Sequence, residues 1–189
     1  METQIHTSIS IPVFKYHPDP IITGSLSLSK TICHCCHQAR GLIYVGPVYA
    51  RADLQESLCP WCIADGSAHR LFAAEFTDFN GVGGYGSWDN IPILIKEEVA
   101  YRTLGFSGWQ QEMWWTHCSD AAAFVGYAGC KEVESCGPDL VEMLRLDSGL
   151  TGQDEWQTYF RALDKVRGPT AYLFRCLHCG KTGGYSDCH

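Results

Sequence analysis

Two cysteine pairs constrain this chain more than anything else in it. Cys33-His34-Cys35-Cys36 and Cys59-Pro60-Trp61-Cys62 each set two thiols three positions apart. Two residues between the cysteines let the sulfurs approach to roughly 3.7–3.8 Å, the spacing that 2.3 Å Zn–S bonds impose on two corners of a tetrahedron. The stretch between the pairs is long enough for a hairpin, read here as Leu42 to Val45 and Val48 to Ala50 joined at Gly46-Pro47. Pro60 suits a first helical turn, where its missing N–H costs nothing. A helix N-terminus also favours thiolates. A knuckle, a hairpin and a second pair on a helix start make the arrangement of a treble-clef zinc finger, with free buried thiols as the plainer alternative. Cys35 competes with Cys36 as partner of Cys33, and the wider spacing is the commoner zinc geometry.

Cys176-Leu177-His178-Cys179-Gly180 is a second knuckle, with a glycine suited to the turn behind the sulfurs. It is half a site. The other half is either His117 with Cys118 or Cys188 with His189. A chain end is prone to fray, which favours His117 and Cys118, although adjacent residues on one ion are geometrically awkward. The predicted ligands are therefore Cys33, Cys36, Cys59 and Cys62 for one zinc, and His117, Cys118, Cys176 and Cys179 for another.

Eleven cysteines would suggest disulfides in a secreted chain. METQIHTSIS has no basic region followed by an apolar run, so no secretory signal is read, and no stretch approaches a membrane span. A cytoplasmic protein is expected, in which paired short spacings mean metal rather than disulfide. The formal charge is −7. A four-thiolate zinc carries −2 and a three-thiolate, one-histidine zinc −1, which would bring the balance to about −10. That makes nucleic acid an unfavourable partner and a cationic protein a favourable one.

The fold class expected is α+β: a treble-clef lobe over residues 1–80, joined to a second zinc-containing lobe of helices and short strands over 91–189. Asn80 to Asn90 is a glycine-rich boundary, read as a mobile surface loop. Pro12, Pro18 and Pro20 keep the N-terminal segment extended, and His6 and His17 are its only candidates for chemistry. A helix is predicted from Cys59 toward Phe76, another from Pro92 to Gly105, and others over Pro138 to Asp147 and Asp154 to Val166. Trp109 to Cys118 and Thr170 to Arg175 read as strands.

Several signals are weak. His117, Cys118 and Asp120 could form an activated nucleophile, but neighbours on a strand point to opposite faces. Gly180-Lys181-Thr182 lacks the earlier glycine of a phosphate loop, since Arg175 stands there. The GVGGYG run from Gly81 follows no convincing strand. Trp109, Trp114 and Trp115 are expected in the core rather than as a base-stacking platform. Cys130 and Cys136 read as ordinary thiols.

The chain resembles the CbrC family of bacterial proteins. The resemblance rests on Phe14-Lys15-Tyr16-His17-Pro18-Asp19-Pro20, the pairs Cys33/Cys36 and Cys59/Cys62, Arg102-Thr103-Leu104-Gly105-Phe106-Ser107-Gly108-Trp109-Gln110, Trp115-Thr116-His117-Cys118-Ser119-Asp120, and Cys176/Cys179. It departs at Leu104, where members of that family often carry proline, and at the Cys188-His189 end. The resemblance implies zinc binding and an association with tolerance to colicin E2, without a catalytic residue. Three functions follow as expectations: a zinc-stabilised protein that binds a cationic antibacterial toxin domain; a zinc hydrolase with an open position near His117 and Asp120 or Glu112 as base; or a zinc module of a stress regulator that contacts nucleic acid.

Overall fold

The computed structural model describes residues 10–188. His6 and His189 lie outside the described residues, as does the rest of segment 1–9.

Strand β1 (Leu26–Leu28) pairs antiparallel with β2 (Leu42–Tyr44), with Leu26 opposite Tyr44. The first knuckle sits in the loop between them. This differs from the hairpin predicted downstream of the knuckle. The Cys33 N–H donates to the Gln38 carbonyl at 2.9 Å, so the knuckle itself reverses the chain and brings the preceding strand alongside Leu42–Tyr44. The Val48–Ala50 segment contributes only a bridge from Tyr49 to Glu75.

The helix predicted toward Phe76 is two short ones, α1 (Pro60–Ala64) and α2 (Ser67–Phe72). They part at Gly66, whose φ of 74° is left-handed and cannot continue a helix. Helix α3 (Ile93–Arg102) starts after Pro92 as expected and stops short of Gly105, because Thr103 is extended.

Two-residue strands β3 (Thr116–His117) and β4 (Asp120–Ala121) form a minimal hairpin. Strand β5 (Ala123–Ala128) follows, then α4 (Cys130–Ser135), α5 (Pro138–Asp147) and α6 (Gln153–Ala162). Strands β6 (Thr170–Arg175) and β7 (Thr182–Asp187) complete an antiparallel sheet in the order β5-β6-β7. Helix α5 spans the predicted residues. The strand predicted over Trp109 to Cys118 survives only as β3, although Trp114 and Trp115 are buried as anticipated.

Central strand β6 shows how the sequence divides the interior. Side chains alternate across a strand, and Ala171 and Leu173 join a helical core with Val133, Leu140, Leu144 and Trp156. Tyr172 and Phe174 join an aromatic core with Phe106, Trp114, Phe124 and Tyr185. Phe106 stacks on Phe124 with centroids 4.0 Å apart. A third core of Phe14, Leu26, Leu54, Leu58, Ile63, Phe76 and Leu104 surrounds the first cysteine cluster. The glycine-rich loop is not a surface loop along its whole length. Gly81 to Gly84 are buried, and Val82 bridges Trp114.

The N-terminal segment fastens these cores together. Phe14 enters the first, Tyr16 the aromatic one, and the Tyr16 carbonyl accepts the Phe124 N–H at 2.8 Å. Between their reach lies His17, fully buried. Its Nδ1–H donates to the Leu104 carbonyl at 2.7 Å, so the neutral ring accepts at Nε2 from the Thr23 hydroxyl at 2.6 Å. Burial drives its pKa from 6.5 down to about 4, against the weaker opposing effects of the Leu104 carbonyl and Asp19.

Between those two pH values the unfolded chain binds a proton that the folded chain refuses. The His17 contribution is therefore expected to lower stability by about 3 kcal/mol as pH drops through that window, and that share alone levels off below it. Urea denaturation at stepped pH checks this, with His17→Gln losing that share of the slope.

Candidate metal centres

The first cluster joins a turn to a helix start. Cys33 and Cys36 come from the knuckle, Cys59 is the N-cap of α1, and Cys62 lies in its first turn. The sulfurs of Cys33 and Cys62 lie 3.9 Å apart, those of Cys36 and Cys59 3.8 Å, and those of Cys59 and Cys62 3.6 Å. These spacings match the edges that a tetrahedron of four thiolates would have around one ion. Cys33, Cys59 and Cys62 are buried and Cys36 half-buried. The Cys59 N–H donates to the Cys33 sulfur at 3.3 Å. Hydrogen bonding from the Cys59 thiol holds Cys33 down to about 4, while the same contact raises Cys59 and burial raises Cys62. Four thiols this close cannot all ionise unless a cation stands among them. Cys35 packs against this core but is outside the quartet.

The second cluster is built from two hairpin turns. Cys176 and Cys179 occupy the knuckle between β6 and β7, while His117 ends β3 and Cys118 opens the β3–β4 turn. All four ligand atoms lie within 4.8 Å of one another. The His117 Nδ1 is 3.2 Å from the Cys118 sulfur and 3.6 Å from that of Cys179. The expectation that His117 and Cys118 face opposite ways is corrected here. Cys118 is not in the strand: it and Ser119 form a two-residue turn with φ of 56° and 59°. Positive φ at both positions is the backbone of a type I′ hairpin turn, and it swings Cys118 round to the side of His117. His117 is steadied by stacking on Trp115, centroids 5.1 Å apart.

The two knuckles share one backbone pattern. Cys33 and Cys176 each donate N–H to a carbonyl five residues on, Gln38 and Lys181, and each accepts at its carbonyl from a residue four on, His37 and Gly180. That fourth residue is left-handed in both, at φ 55° for His37 and 74° for Gly180. The second quartet is the more open: Cys118 and Cys179 are exposed and only Cys176 is buried. Burial opposes ionisation of Cys176, but the N–H groups of Cys179 and His178 and the His117 contact outweigh it and bring the thiol to about 6. Local desolvation and the neighbouring sulfurs of Cys176 and Cys179 push Cys118 up to about 11.

Asp120 supports the second centre rather than joining it. Its carboxylate accepts from the Tyr16 hydroxyl at 2.8 Å, Lys15 at 3.1 Å and its neighbour's N–H at Ala121 at 2.8 Å, and pairs with His178 Nε2 at 2.9 Å. Burial works against its charge, yet the bonds from Tyr16, His178 and Lys15 prevail and hold its pKa below the usual value. The knuckle is thus tied through His178 to β4 and the N-terminal segment. From the sequence alone Asp120 reads only as a candidate base. The histidine inside the second knuckle was the signal for this tie. Glu112 is buried and accepts from the Tyr49 hydroxyl, and lies outside both quartets. Cys188 accepts at its carbonyl from Gln110, 2.9 Å away, and is in neither quartet among the described residues. Cys130 opens α4 and Cys136 caps it, both as free thiols.

Comparison with known proteins places the chain in a family. The profile described as "Uncharacterised protein family (UPF0167)" matches residues 11–188. The chain is 45% identical over 186 residues to the UPF0167 protein Mb2317 of Mycobacterium bovis, covering 96% of this chain and 95% of that one. The UPF0167 protein MT2352 of Mycobacterium tuberculosis gives the same figures. The UPF0167 protein PA1536 of Pseudomonas aeruginosa is 41% identical over 172 residues, 90% of this chain and 93% of its own. No solved structure matches. The chain belongs to the UPF0167 family.

Proposed function

We propose that this UPF0167 chain is a cytoplasmic binding protein whose fold is stabilised by two zinc ions, and whose acidic surface engages a cationic protein domain. The observation that carries the metal half is the pair of closed quartets, four sulfurs in one and three sulfurs with one imidazole in the other. Soft thiolates select zinc, copper(I) or iron–sulfur, and a single tetrahedral centre of four thiolates, or of three with a histidine, suits zinc. Four protein ligands leave no position for a water, which is the pattern of a structural rather than a catalytic site. In the first lobe, read over residues 1–80, a knuckle followed by a ligand pair on a helix start supports the treble-clef reading. The second lobe, read over 91–189, carries the other ion.

The hydrolase alternative needs three ligands and a free base near His117. The second quartet supplies four, Asp120 is held by Lys15, Tyr16 and His178, and Glu112 by Tyr49. The partner half rests on the net charge of −7, which metal binding by thiolates deepens. A cationic, nuclease-like domain of an antibacterial toxin is the partner that the CbrC resemblance favours. Nucleic acid is disfavoured by the same charge. No helix among the described residues is long and apolar enough to cross a membrane. Immobilised holoprotein should retain a purified basic toxin nuclease domain at low ionic strength and release it as salt rises, because exposed charges are screened over roughly 10 Å at 0.1 M. Failure to retain such domains at any salt concentration would remove the partner half of the proposal.

A further inference from the structure

The two centres differ in what surrounds their sulfurs. Three of the four cysteines in the first are buried within the core that also holds Leu58, Ile63 and Phe76, and reaching them requires opening that core. In the second, Cys118 and Cys179 face solvent, and no backbone N–H reaches the Cys118 sulfur among the described residues, whereas the His178 N–H shields Cys176 at 3.4 Å.

Cys118 also stands on a strained backbone. It sits in a turn where it and Ser119 both adopt a left-handed conformation that non-glycine residues adopt only at a cost. The strands on either side pair over two residues each. The Ser119 N–H has only a long contact, 3.4 Å, to the Asp89 carboxylate. His117 and Cys176 stay anchored, one stacked on Trp115 and the other buried in the aromatic core.

We infer that the second centre is a metal-exchange site: Cys118 releases first, and a soft thiolate from solvent takes its place, so that this centre passes its ion to an external thiol acceptor while the first keeps its own. The inference rests on the two-ion reading above. No bond other than metal–ligand bonds changes and no electron is transferred. The incoming thiol gives up its proton as it binds the ion and the displaced Cys118 takes one up, so protons balance. Because opening a two-residue turn is a local event and opening the first core is sub-global, the two release rates should differ by on the order of 100-fold or more.

The test uses the full-length holoprotein, first assayed for metal content and then mixed with glutathione in the presence of a chromogenic chelator. The expected result is one equivalent released in a fast phase whose rate rises with glutathione, and a second equivalent in a slow phase. Ser119→Gly, which relieves the turn without touching a ligand, should slow the fast phase roughly tenfold at unchanged amplitude. Two ions leaving at one rate, a fast phase indifferent to glutathione, or one indifferent to Ser119→Gly would each overturn the inference while leaving the two-ion reading intact. Fewer than two ions at the outset would overturn that reading and the inference with it.

Discussion

Cys59→Ser is expected to lose one metal ion per chain and to melt at least about 10–20 °C below the parent protein. The sulfur of Cys59 lies within 4 Å of those of Cys36 and Cys62, and its backbone N–H also serves Cys33. Serine removes the thiolate from a buried quartet and leaves three sulfurs in a charge arrangement that burial penalises. Structural zinc is worth about 10–16 kcal/mol in small domains that fold around it. Here Phe14, Leu26, Leu54, Ile63 and Phe76 retain part of the first core, so a loss of about 5 kcal/mol or more is the reasoned figure. In a chain of this size each 1 kcal/mol moves the midpoint by about 2–4 °C. Cys176→Ser should also lose one ion, with a smaller drop in midpoint, because half of its quartet is exposed and the aromatic core stands beside it. Elemental analysis with calorimetry on both variants checks the pair. Retention of two ions by Cys59→Ser would contradict the assignment.

Gly105→Ala is expected to cost about 3–5 kcal/mol with no change in metal content. A Cβ there would fall 1.8 Å from the Phe76 carbonyl oxygen and 2.9 Å from the Tyr44 hydroxyl. Neither side can give way cheaply. The Phe76 N–H is bound to the Ala100 carbonyl at 2.8 Å, and the Gly105 carbonyl accepts from Ser25 at 2.9 Å. Leu104 on one side is buried in the first core and Phe106 on the other in the aromatic core, so shifting the backbone would unseat one of them. Chemical denaturation of the variant reads this directly. A loss below about 1 kcal/mol would mean that the close approach relaxes at little cost.

The members of the two clusters were legible because a metal site would impose spacing on its ligands. The pairs Cys33/Cys36, Cys59/Cys62 and Cys176/Cys179 can be read from residue intervals, and all eight predicted ligands fall in the two quartets. Helices α5 and α6 could be read for a similar reason, because both repeat apolar residues at helical spacing, and α3 because Pro92 marks its start. What could not be read depended on contacts distant in sequence. Nothing local announces that Leu42–Tyr44 pairs with Leu26–Leu28 across a knuckle, or that Val82 bridges Trp114 from inside a glycine run. Cys118 was misjudged in orientation because β propensity suggests a strand there, whereas a left-handed turn at two non-glycine residues has no strong sequence mark. Asp120 looked like a base because its partners Lys15, Tyr16 and His178 are more than fifty residues away along the chain.

The most direct measurement is metal content per folded chain, by native mass spectrometry on reduced protein that has never met a chelator. Two bound zinc ions, with loss of cooperative folding when both are stripped, is the result predicted. A metal-free protein that unfolds cooperatively at the same midpoint would contradict the account.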